Sequence, residues 1–131
     1  MKNLIFACFS ILCAQAVQAE TVTYDCSVND RDDRGWIAPR YVFVIDPEQA
    51  TAEIASNHND YQPAKYKLDR KQRFSLTWRL DMREISGSSV RVSYTARINP
   101  NDNSVVVRGK WINANFVNKP YGTGNCKVKK N

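Results

Sequence analysis

The chain has 131 residues, 43% of them hydrophobic and 24% charged, which is the size of one small domain. Lys and Arg outnumber Asp and Glu by 19 to 13, so anionic partners are favoured over cationic ones. A single histidine and no His/Cys cluster leave zinc chemistry without ligands, and no repeats, heptads or low-complexity linkers interrupt the chain.

Lys2 is followed by the apolar run LIFACFSILCAQAV and by Val17-Gln18-Ala19, with small residues where a signal peptidase reads. Residues 1–19 therefore read as a secretory signal peptide cleaved after Ala19, and residues 20–131 as a single β domain. The run is short for a membrane span and no stop-transfer pattern follows, so no transmembrane segment is expected in the mature chain. Cys13 follows Leu12 and Cys8 comes early, which argues against a lipid anchor. The expected location is periplasmic or secreted. Cys8 and Cys13 leave with the signal, and the remaining pair, Cys26 and Cys126, is expected to form a disulfide in an oxidising compartment. Residues 20–60 hold nine acids and three bases, residues 61–131 four acids and fifteen bases. Sequence halves of a sheet protein need not be spatial halves.

Period-two alternation dominates from here on, and no window carries a helical stripe. Residues 21–28 set Val22, Tyr24, Cys26 and Val28 against Thr21, Thr23, Asp25 and Ser27. The connection Asp30-Arg31-Asp32-Asp33-Arg34-Gly35 has the acids and glycine of a calcium loop. However, Arg34 stands where the third oxygen ligand belongs and Tyr41 where the bidentate glutamate belongs, so no metal is expected. Residues 40–46 put Tyr41, Phe43 and Ile45 on one face. Asp46-Pro47-Glu48-Gln49 is a turn that Asp46 caps, and residues 51–56 follow as a short strand with Ala52 and Ile54 inward. Asn57-His58-Asn59-Asp60-Tyr61 reads as a polar loop with His58 exposed, and Tyr66 and Leu68 mark the next strand.

Residues 73–98 hold two long strands joined around Ser86-Gly87-Ser88. Parity predicts Trp78, Leu80, Val92 and Tyr94 buried and Arg79, Arg91, Arg97 and Arg108 exposed. Arg83 opposite Arg91 would be a like-charge pair; a shift by two residues puts Asp81 opposite Arg91 and Trp78 opposite Tyr94. That register leaves residues 84–88 as a five-residue loop in which Gly87 supplies a positive φ. Residues 99–103 form the next turn. Val105, Val107, Gly109 and Trp111 carry another strand, and Cys126 and Val128 the last. The glycines of Tyr121-Gly122-Thr123-Gly124-Asn125 lack the ending of a phosphate loop and are read as allowing a tight approach to the last strand.

About eight short strands joined by tight turns predict an all-β, single small antiparallel barrel, with a β-sandwich as the alternative. The terminal strands would be joined by the Cys26–Cys126 bridge, side by side in a barrel or face to face in a sandwich. Inward Tyr24, Tyr41, Phe43, Tyr66, Phe74, Trp78, Tyr94 and Trp111 suit a filled core more than a cup. Outward Arg79, Arg83, Arg91, Arg97, Arg108 and Lys110, with Lys65 and Lys67 on the strand before, would form one basic sheet face. Such a face attracts phosphate, an acidic protein or another anionic envelope component; with the aromatics pointing inward it offers bases no stacking platform, so nucleic acid is not favoured.

The pieces Tyr24-x-Cys26, Gly35-Trp36-Ile37, Leu76-Thr77-Trp78, Tyr94-x-Ala96 and Gly124-x-Cys126 together resemble an uncharacterised family of small exported alphaproteobacterial β proteins. The resemblance implies a small disulfide-tied β domain and brings no activity, cofactor or site. A fainter similarity links the Tyr-x-Cys start and late cysteine to periplasmic inhibitors of c-type lysozyme. Their serine-glycine loop is echoed only by Ser86-Gly87-Ser88-Ser89, so no inhibitory residues carry over. No catalytic serine motif is present, and with the cysteines paired there is no thiolate. The expected function is a non-enzymatic binding or inhibitor module using loops and the basic face. A lipocalin-like carrier of a small apolar ligand is the alternative, and an enzyme a more distant one.

Overall fold

The computed structural model describes residues 20–31, 34–83 and 87–131. The expected signal segment 1–19 with its expected cleavage point, Asp32 and Asp33 of the acidic connection, and residues 84–86 of the expected hairpin loop lie outside them. Eight strands follow in chain order: β1 (Val22–Asp30), β2 (Arg40–Asp46), β3 (Thr51–Ser56), β4 (Asn59–Leu68), β5 (Phe74–Arg83), β6 (Ser89–Ile98), β7 (Ser104–Trp111) and β8 (Tyr121–Lys130). Each pairs antiparallel with the next, and β8 returns to β1, closing a barrel. The sandwich alternative is thereby excluded. Among the described residues no helix is long and apolar enough to cross a membrane.

Closure is fixed by the β1–β8 ladder, in which Cys26 lies directly opposite Cys126 and the two form a disulfide with Cα atoms 3.9 Å apart. The strands touch closely because Gly124 has no side chain: a Cβ there would sit 1.8 Å from the Ser27 carbonyl oxygen. The glycine-rich stretch is thus strand itself, and its tight approach is to β1.

Alternation places the core as parity predicts. Tyr41, Phe43, Ile45, Ile54, Leu76, Trp78, Val92, Tyr94, Ala96, Ile98, Val105 and Val107 are all buried. Trp78 meets the rings of Tyr41 and Phe43 at 5.8 and 5.7 Å and stacks on Tyr94 at 5.5 Å. Rings from β2, β5 and β6 therefore meet across the interior. Each such side chain contributes roughly 1.5–3 kcal/mol by burial, and each ring pair about 0.5–1.5 kcal/mol more. One end of the barrel is lidded by residues 34–39: Ile37 and Ala38 are buried, the Ala38 N–H donates to the Tyr41 hydroxyl at 2.9 Å, and the Tyr94 hydroxyl donates to the Trp36 carbonyl at 2.6 Å.

The turns behave as their residues dictate. The N–H groups of Glu48 and Gln49 donate to Asp46 Oδ1, and those of Asn101 and Ser104 to the Asn99 and Asp102 side chains. Gly87 has φ +86°. The expected polar loop 57–61 is shorter than the sequence suggests: only Asn57 and His58 turn, and β4 already starts at Asn59. Ser56 is the cause. Its hydroxyl donates to Asn59 Oδ1 at 2.7 Å and accepts from the His58 N–H, closing the turn with side-chain bonds. A register shift in the β3–β4 ladder between Ile54 and Ser56 absorbs the extra length.

Candidate functional site: a basic wall with an open seam

A meander barrel turns sequence halves into spatial halves, because chain order is also the order around the wall. The base-rich second half therefore falls on consecutive strands, β4 to β8, with the expected face residues on β5 to β7 and Lys65 and Lys67 on β4. The β5–β6 ladder runs in the register that the charges favour, with Asp81 opposite Arg91, Trp78 opposite Tyr94 and Arg83 opposite Ser89. The β4–β5 and β6–β7 ladders align Lys65, Thr77, Thr95 and Arg108 in one outward row, and Arg79, Ser93 and Lys110 in the next. Hydroxyl groups thus floor the space between cations, and the Thr77 and Thr95 hydroxyls approach to 3.4 Å.

The six expected face residues do not behave alike. Arg79, Arg83, Arg91, Arg108 and Lys110 are exposed. Arg91 donates from Nε to Asp81 at 3.0 Å. Arg108 lies over the Tyr121 ring, 4.8 Å from its centroid. Arg97 is a correction: it is only half-exposed and lies 3.9 Å from the Asp69 carboxylate, which also binds Arg73 at 2.9 Å. Ser75 between Arg97 and Lys67 is correspondingly buried despite its outward parity. The β4–β5 turn, whose acid holds both arginines, is what draws Arg97 in. Among the described residues Lys65, Arg79, Arg83 and Lys110 have no ion-pair partner. On β8, Lys127 faces Asp25, whose carboxyl is held below the usual carboxylate range chiefly by its hydrogen bond from Arg40.

Leu80 is the second correction. It points inward, as parity requires, but is only half-buried. The reason lies in β4. Its ladder with β5 covers only Lys65 to Leu68 against Phe74 to Thr77. Continued upward, the register would set Pro63 opposite Arg79, and proline has no N–H to give. The side chain of Gln62 takes its place, donating from Nε2 to the Arg79 carbonyl at 3.0 Å. Beyond this point the strands share no backbone pairs. Inward residues on both lips of the seam, Gln62 and Ala64 on β4 and Leu80 and Met82 on β5, are half-buried, whereas all five inward residues of β6 are buried. A groove of about 490 Å³, lined by Pro63, Ala64, Lys65, Thr77, Trp78, Arg79 and Ser93, marks where the strands part.

A second surface was not legible in the sequence. The β7–β8 loop, residues 112–120, exposes Ile112, Phe116 and Val117, the last at 98%. It is braced from below: Trp36 packs edge-on against Trp111 at 4.8 Å, Trp111 against Phe116 at 4.9 Å, and the Trp111 indole N–H donates to the Asn118 carbonyl. Without alternation in residues 112–120, no pattern marked them. His58 is exposed in its two-residue turn.

The strand order and the bridge define a disulfide-closed, eight-stranded antiparallel meander barrel. No family model, curated protein or solved structure matches the chain.

Proposed function

We propose that this is a periplasmic or secreted non-enzymatic binding or inhibitor module that takes an anionic partner on the wall formed by β4 to β7. One observation carries the reading: Lys65, Arg79, Arg83 and Lys110 stand exposed and without ion-pair partners among the described residues, around a floor of Thr77, Ser93 and Thr95. Clustered cations of this kind raise the local concentration of anions and speed their encounter. The hydroxyls offer neutral donors between them. The braced Phe116–Val117 tip supplies an apolar loop contact of the sort that interfaces bury. The rings that meet inside the barrel weigh against the carrier alternative, since a small eight-stranded barrel has little room beyond its side chains.

The test is titration of the disulfide-bonded protein with poly-L-glutamate at low and high salt, followed by calorimetry. Binding is expected, weakening steeply with salt. The pair Arg79→Ala and Lys110→Ala should weaken it about tenfold, the loss of two charge-assisted contacts. Replacing Lys127, Lys129 and Lys130 by alanine should change it less. Equal losses from both sets would remove the wall as the site.

A further inference from the structure

We infer that the seam between β4 and β5 is a docking slot for an extended acidic peptide segment, which adds a strand to the barrel wall. The inference rests on the anionic-partner reading above and specifies its chemistry.

The backbone supplies the first part of the argument. Gln62 reaches the Arg79 carbonyl from the β4 side, so the polar groups of Arg79 point into the seam. Strand alternation then points the N–H and C=O of Asp81 and Arg83 the same way. Neither has a backbone partner on that side among the described residues, because the β4–β5 ladder has already ended. The upper part of β4, from residue 59 to residue 63, is likewise bonded to β3 and open toward β5. Two strand edges facing each other across a gap are a template for a third strand, which gains hydrogen bonds on both sides.

The side chains supply the second part. A strand lying in the slot presents alternate residues inward and outward. Inward it meets Ala64, Leu80 and Met82, which are apolar and half-buried. Outward it passes Lys65, Arg79 and Arg83, which have no ion-pair partner among the described residues. The one acid on the β5 lip, Asp81, is already engaged by Arg91, and Asp60 stands at the far end of the other lip. The complementary segment alternates apolar and acidic side chains. A phosphate-bearing or lipid anion would satisfy the cations and leave both backbone edges unpaired, so the geometry favours a peptide.

The test uses three probes: a peptide about eight residues long alternating valine and glutamate, the same peptide N-methylated at alternate residues, and a valine–lysine counterpart. Eight residues exceed the length of a typical strand. The disulfide-bonded protein should bind the first, with the amides of Asp81 and Arg83 gaining protection from hydrogen exchange. N-methylation should weaken binding about tenfold or more, since each lost backbone bond has a net value near 1 kcal/mol. The lysine peptide should not bind. If N-methylation changes nothing, or if exchange at Asp81 and Arg83 is unaltered while poly-L-glutamate still binds the wall, the slot is wrong and the basic face stands. If neither the peptide nor poly-L-glutamate binds, both readings fall.

Discussion

Asp81 and Arg91 face each other across the β5–β6 ladder, and the Arg91 Nε donates to the Asp81 carboxylate at 3.0 Å. The pair does two things. It marks the register in which opposite charges meet rather than two arginines. It also removes one cation from a wall on which Lys65, Arg79, Arg83 and Lys110 have no ion-pair partner among the described residues.

Asp81→Asn should release Arg91 while leaving the fold intact. Both side chains are more than half exposed, so stability should fall by less than about 1 kcal/mol in urea denaturation. Affinity for poly-L-glutamate at low salt should rise roughly twofold and the gain should vanish at high salt. An unchanged affinity at low salt would mean that Arg91 is not part of the binding wall.

The bridge between Cys26 and Cys126 spans 100 residues of sequence. Replacing both cysteines by alanine should lower stability by about 2–5 kcal/mol, because the unfolded chain is no longer cross-linked. The measurement is urea denaturation of the oxidised protein against the double variant. A difference below about 1 kcal/mol would show that the other interstrand contacts hold the β1–β8 seam without it.

Two glycine substitutions should separate sharply. Gly124→Ala drives a methyl group into the Ser27 carbonyl and must push β8 off β1, at a cost of about 3 kcal/mol or more. Gly87→Ala meets open space, and only its φ of +86° opposes it, for about 1–2 kcal/mol. Thermal denaturation of the two variants gives the order directly, and the reverse order would contradict the packing of β8 on β1.

Acid sensitivity should trace to particular carboxylates. Asp69 is held below its ordinary range first by the Arg73 N–H, then by the Arg73 side chain and the Lys71 N–H. Asp102 is held down by the Ser104 hydroxyl and N–H, and Asp25 by Arg40. A group whose folded value lies below its unfolded one stabilises the fold above the unfolded value, about 4, and loses that contribution as pH falls through the folded value. Stability should therefore decline from about pH 4 downward. In Asp69→Asn that decline should be shallower. An identical acid limb in the variant would deny Asp69 its part.

Much of the wall was legible residue by residue. Phe74, Leu76 and Trp78 alternate with Ser75, Thr77 and Arg79 because a strand has only two faces, and one of them must avoid water. The same two-face rule, with the penalty for Arg83 opposite Arg91, was enough to choose the β5–β6 register. With Cys8 and Cys13 inside the expected signal segment, Cys26 and Cys126 were the pair left to join. The chain therefore carried in its own pattern the strands, their inward sets, and the contact between first and last strand.

Other features needed the three-dimensional arrangement, because they depend on residues brought together from separate strands and turns. Arg97 is drawn to Asp69 by the β4–β5 turn, a contact between residues that share no alternating pattern. Trp36 and Phe116 come from different connections and meet on Trp111, the last residue of β7, only where the barrel end is lidded. Barrel closure in chain order put the base-rich half of the sequence on neighbouring strands, β4 to β8. Finally, Pro63 lies within β4. Only its place opposite Arg79 makes its missing N–H matter: there the ladder ends, Gln62 stands in, and the seam opens beneath Lys65, Arg79 and Arg83.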